Sequence, residues 1–165
     1  MKRIVFLSFL LLSASALSAQ DLIFPLRVDP SKSYNDLITA GYYDQIDPEI
    51  NSQNFPVQSA DTTKNLVVAK LFRFEDPISG PSAVKKIKQA GYRPATMAEL
   101  LTFGATYPEI QKFLPIVALG TTCPDKKLPA DLVPILGSDN NERIIYTDWF
   151  ETSRDQSYYF LGIKK

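Results

Sequence analysis

Five carboxylates stand where a pair could act on a substrate: Asp44, Asp47 and Glu49 in the first third of the chain, Asp148 and Glu151 near its end. Hydrolysis of a glycosidic bond needs two such groups about 5 to 10 Å apart on different elements, one giving and one taking a proton. Sequence spacing leaves that distance open. Asp148-Trp149 with Glu151 adds an indole on which a sugar ring can stack beside a carboxylate; the other reading packs Trp149 in the core and leaves Asp148 on a strand edge. Tyr42-Tyr43 and Tyr158-Tyr159 supply phenols for a binding surface. Such pairs also arise when one ring points inward and its neighbour outward. The candidate binding residues are therefore Asp148, Trp149, Glu151, Tyr42 and Tyr43, and no catalytic residue is assigned.

Other chemistries drop out on composition. The chain has no histidine, which removes Ser-His-Asp and Cys-His relays and every histidine-ligated metal site. Cys123 is the only cysteine, so no internal disulfide forms; as a nucleophile it would need a lysine such as Lys126 or Lys127 to lower its pKa. The alternatives for it are a buried, inert thiol or a bridge between two chains. Asp139-Asn140-Asn141-Glu142 offers oxygen ligands of the kind calcium takes, without EF-hand spacing or the Glu-Pro-Asn and Trp-Asn-Asp motifs of sugar-binding lectins. A hairpin turn is the better reading. No metal and no cofactor is expected.

Met1-Lys2-Arg3, the apolar run Ile4–Leu12 and the small residues through Ala19 read as a secretory signal peptide cleaved near Ala19, too short in its apolar part to span a bilayer. The expected location is periplasmic or secreted. Without Lys2 and Arg3, 16 of the 18 basic residues face 18 acidic ones, so no overall basic excess meets a phosphate backbone and nucleic acid is not an expected partner. The unknown partner is a protein or a glycan. Beyond the leader the chain has the length of one domain, read as an N-terminal extension over 20–65 with one short helix and an α+β core over 66–165.

The elements that must position these side chains are legible around Gly91–Leu101. Ser79-Gly80-Pro81 reads as a helix start, with Val84, Ile87 and Ala90 as its apolar stripe. Gly91 is the left-handed stop, Pro94 biases Arg93 toward extended backbone, and Thr96 with Glu99 forms a capping box for the next helix. Arg93 and Glu99 are placed to form an ion pair bracing the turn, so Arg93, Thr96 and Glu99 are taken as structural. An earlier short helix starts at Ser33 and ends at Gly41. Strands are expected at 66–74, 115–120, 132–136, 143–150 and 158–163, with a hairpin turn at 137–141.

The segment Gly91-Tyr92-Arg93-Pro94-Ala95-Thr96-Met97-Ala98-Glu99-Leu100 resembles the inter-helix link of bacterial C-type-lectin-like domains, formylglycine-generating-enzyme-like domains among them, where it runs Gly-Trp-Arg-Leu-Pro-Thr-x-x-Glu-Leu. Its proline here stands one place earlier. Tyr43-Asp44, Arg93–Leu101, Pro115–Gly120 and Trp149-Phe150 together are similar to an uncharacterised family of small bacterial proteins, most of which lack a signal peptide. The resemblance implies a single α+β domain with two or three short helices on a small, mostly antiparallel sheet, and carries no activity. The cysteine pair used by formylglycine-generating enzymes has no counterpart here. The resulting expectation is an exported, non-enzymatic binding or interaction domain; the alternative is a carboxylate hydrolase acting on cell-wall or polysaccharide material.

Overall fold

The link between the two central helices forms as its residues dictate. Gly91 adopts φ +83°, a conformation open to glycine, and Thr96 and Glu99 complete their reciprocal capping box. The computed structural model describes residues 22–57, 66–124 and 130–165. The leader, the polar loop at 59–65 and Lys126-Lys127 lie outside the described residues.

The strands are β1 (Leu22–Arg27), β2 (Gln45–Ile46), β3 (Leu66–Phe72), β4 (Tyr92–Pro94), β5 (Ile116–Val117), β6 (Cys123–Pro124), β7 (Asp131–Asp139), β8 (Glu142–Trp149) and β9 (Tyr159–Lys164). The helices are α1 (Tyr34–Gly41), α2 (Gly80–Gln89) and α3 (Met97–Thr106), with a 3-10 turn at Ile110–Lys112. All described strands join one sheet in the order β1-β3-β9-β5-β7-β8-β2, with β4 also on β9 and β6 on β7. The fold is α+β, and the pairing is antiparallel except at β5–β9 and β2–β8. The sheet is larger than expected because β2, β4 and β6 are two or three residues long, too short to show alternation, and because β1 lies within the stretch read as an N-terminal extension; of the strand expected at 115–120, Ile116–Val117 pairs as β5.

Alternation along the strands divides the core. Ile116, Leu132, Leu136 and Leu161 face α1 and α3, whereas their neighbours Val117, Val133, Ile135 and Phe160 face α2. Residues 22–57 belong to this packing: Leu26, Val28, Leu37, Ile50 and Phe55 are all buried in the first core. The stretch expected as an N-terminal extension over 20–65 includes β1, paired along its length with β3.

Every residue of α3 from Met97 to Gly104 is buried. Truncating Leu100 to alanine there costs about 3 kcal/mol. On α2 the buried stripe is Ala83 and Ile87, with Lys85, Lys86 and Lys88 outward; Ala90, expected in the stripe, is exposed beyond the helix end. The α1 cap at Ser33 holds, but Tyr42 rather than Gly41 takes the left-handed position, at φ 47°. The β7–β8 hairpin turns through Asn140 and Asn141, both left-handed, as a two-residue loop requires.

Candidate functional site

The hydrolase reading depends on where the five carboxylates lie. Asp44 accepts from the Arg143 amide at 2.7 Å, and Asp47 from the Thr147 amide and hydroxyl at 3.1 and 2.7 Å, tying β2 to β8. Glu49 accepts from the Asn54 side chain at 2.7 Å. Asp148 accepts from Arg154 Nη2 at 2.8 Å, from the Trp149 amide and from the Thr152 hydroxyl. Four of the five candidates thus hold backbone or buried side chains in place; Glu151 is exposed. Among the described residues no cluster of three metal-ligating side chains exists.

The predicted binding residues do not assemble. Asp148 is the counter-ion of Arg154, an arginine 1% exposed, and is a structural residue for that reason. Tyr43 is also withdrawn from the surface. Its ring lies against the Arg143 guanidinium, 5.2 Å from ring centroid to Cζ, and fills a slot that side chains at Gly41 or Gly104 would close. Burial raises its phenol well above the ordinary value. Tyr42 and Trp149 remain exposed, at 82% and 46%, but sit at opposite ends of β8, about 20 Å apart at the rise of a strand. The Tyr42-Tyr43 pair therefore divides into one outward and one inward ring, and Trp149 is not core. At the helix link, Arg93 donates both Nη1 and Nη2 to Glu99, at 2.8 and 2.6 Å, while Glu99 also takes the Thr96 amide. That brace is structural, as its residue types implied.

Two features escaped sequence reasoning. Arg143 is a buried hub: it donates to the Gly41 carbonyl, to the Gly104 carbonyl at 2.7 Å and to Gln111 Oε1 at 2.9 Å. Gln111 in turn donates to the carbonyls of Gly137 and Ile144, at 2.8 and 3.2 Å. This fixes the 3-10 turn against the β7–β8 hairpin. The available signal was an arginine on the inward register of β8, on the same face as Ile145 and Thr147.

The second feature is the groove that this arrangement creates, with a cavity volume of about 320 Å³. Phe113 stands at its rim, 80% exposed, beside Lys112, Ser138 and Ser157. Tyr146 and Tyr158 line it together. Burial raises the Tyr146 phenol far above its ordinary value, and the neighbouring Tyr158 raises it further. The Tyr146 ring crosses Gly137, where a Cβ would approach it to 2.9 Å. Two further hollows flank Thr96 and Gly120, one toward Val57 and Thr122, the other toward Lys88. Among the described residues, none of these three hollows has an aspartate or glutamate in its wall.

Comparison with known proteins leaves the site to speak for itself. The chain matches no family model, no curated protein and no solved structure. Among the described residues, no helix is long and apolar enough to cross a membrane.

Proposed function

We infer that the chain is an exported, non-catalytic binding domain of the cell envelope, and that the Phe113 groove takes a neutral sugar or short glycan. The observation that carries this reading is the composition of the groove. An exposed phenyl ring offers a face for the C–H side of a pyranose; around it stand the hydroxyls of Ser138, Tyr146 and Tyr158, and that of Ser157, which donates to Asp155 at 2.6 Å and can accept. The walls are set by Gln111 and Gly137, so the groove is largely pre-formed, which lowers the entropic cost of binding. The absence of a carboxylate from its walls and the structural engagement of four of the five candidate carboxylates favour binding over hydrolysis. Export rests on the leader, and the lectin-like resemblance of Gly91–Leu101 belongs to the same proposal.

A glycan array probed with the processed chain and with Phe113→Ala tests this. Selective binding to neutral glycans, lost in the variant, is the expected result. Equal signal from both proteins, or release of reducing ends on incubation, contradicts it. Intact mass of the secreted chain, expected to start near Gln20, checks export separately.

A further inference from the structure

The formal charge of the chain is zero, yet its charges are not evenly spread. β1, β3, β4, β9 and α2 contain no aspartate or glutamate at all, while they carry Arg27, Lys70, Lys85, Lys86, Lys88, Arg93 and Lys164. These elements are contiguous: β3 lies between β1 and β9, and Ile87 of α2 packs over Gly162 of β9 beside Phe72. α2 therefore covers only part of its face of the sheet. Beyond it, alternation places Ile23 and Pro25 of β1 on the same face as Leu66 and Val68 of β3, in the register Ile23↔Lys70, Pro25↔Val68 and Arg27↔Leu66.

All four of these apolar residues are exposed, Leu66 at 61%, Ile23 at 48% and Val68 at 40%. Around them stand Arg27, Lys164 and Lys165, also exposed, and Lys70, whose ammonium lies 5.2 Å from the Phe72 ring centroid. Among the described residues of β1, β3 and β9 this surface is aliphatic with a basic rim and carries no acid, which is complementary to a partner that is at once anionic and apolar.

We propose that this face docks on an anionic bilayer surface, its aliphatic side chains entering the headgroup layer and its lysines and arginines meeting lipid phosphates. Two observations choose a bilayer over other anionic partners. A peptide adding as a strand along β1 would meet Pro25, which has no N–H, and the Pro25 carbonyl is already taken by the Tyr107 hydroxyl at 2.5 Å. A soluble polyanion would use the basic rim but gain nothing from Ile23, Leu66 and Val68. Apolar area combined with basic residues is what interfacial binding to anionic lipid requires. The proposal does not depend on the Phe113 groove, which lies among different elements.

Co-sedimentation of the full processed chain separates the outcomes. One set of vesicles is phosphatidylcholine alone and the other is equal parts phosphatidylcholine and phosphatidylglycerol, with soluble polyglutamate and heparin as competitors. The expected result is at least about tenfold stronger binding to the anionic vesicles, weakened severalfold by Val68→Ser and about tenfold by the double variant Lys164→Glu/Lys165→Glu. Phe113→Ala should leave it unchanged. These substitutions are on the surface, and thermal unfolding of each confirms that the fold is intact. No preference for anionic vesicles overturns the proposal. So does binding that the lysine substitutions weaken and Val68→Ser does not, or that polyglutamate or heparin abolishes at equal charge, since the partner is then a soluble acidic molecule.

Discussion

Arg154 and Asp148 meet at 2.8 Å, the arginine almost fully buried and the aspartate partly open to water. The pair decides what Asp148 is for. Burial pulls the Arg154 guanidinium toward losing its proton, and Asp148 is the first group that opposes this. Asp148→Ala leaves a buried cation without its counter-ion and is expected to destabilise the chain by about 3 kcal/mol, measured by urea unfolding. Arg154→Met, which removes the charge and keeps the bulk, should cost less than half as much.

The Arg143 hub makes a second prediction. A methyl group at Gly104 would run into the Tyr43 hydroxyl and the Leu136 side chain, so Gly104→Ala should cost about 2 kcal/mol. Gln111→Leu removes the bonds that hold the 3-10 turn to the hairpin and should cost about 2 kcal/mol while leaving Arg143 with an unmet donor. Hydrogen exchange at the Gly137 and Ile144 neighbourhood should rise in the second variant. A change confined to α2 would contradict the assignment.

The helix link gives a graded series. Thr96→Ala loses one cap bond and should cost about 1 kcal/mol. Glu99→Ala loses the cap and the bidentate partner of Arg93 together and should cost about 3 kcal/mol. If the two variants are equally stable in thermal unfolding, the Arg93–Glu99 pair contributes nothing.

Stability should fall at both ends of the pH scale, for different groups. Burial pushes the Tyr34 phenol up to about 12, and raises Tyr43 and Tyr146 as well. Each is neutral in the folded chain where the unfolded chain ionises at its ordinary value of 10, so this stability is whole below pH 10 and is lost as pH rises through the folded values. Phenolate absorbance should show part of the tyrosine signal appearing only with unfolding. At the acid end, the Ser33 hydroxyl and amide hold Asp36 below its ordinary 3.8, so the cap of α1 contributes fully above that value and is lost as pH falls through the lower folded one. Ser33→Ala, which removes the hydroxyl and keeps the amide, should weaken the acid-side dependence of α1.

Legibility in the sequence tracks the length of the signal. The capping boxes at Ser33 and Thr96, the glycine stop at 91 and the asparagine turn at 140–141 depend on neighbours in the chain, and each can be read from residue types alone. The two-residue strands β2 and β6 owe their existence to partners elsewhere in the chain, and no local pattern marks them. The candidate site suffers most from the same cause. Asp148 and Tyr43 have side chains suited to binding, but Arg154 and Arg143, at positions that sequence does not connect to them, consume both. Phe113 reads from sequence only as part of a helical turn, because nothing local distinguishes an apolar residue that packs from one that a buried glutamine two positions away turns outward.

The most direct measurement of the central claim is an NMR titration of the isotope-labelled processed chain with neutral oligosaccharides, run in parallel on Phe113→Ala. Phe113 is so exposed that its loss should change folding stability by less than about 0.5 kcal/mol. The account predicts saturable shifts at Ser138, Tyr146, Ser157 and Tyr158, and about a tenfold weaker affinity in the variant, equivalent to about 1.4 kcal/mol. Shifts that cluster away from the groove, or an affinity that Phe113→Ala leaves untouched, contradict it.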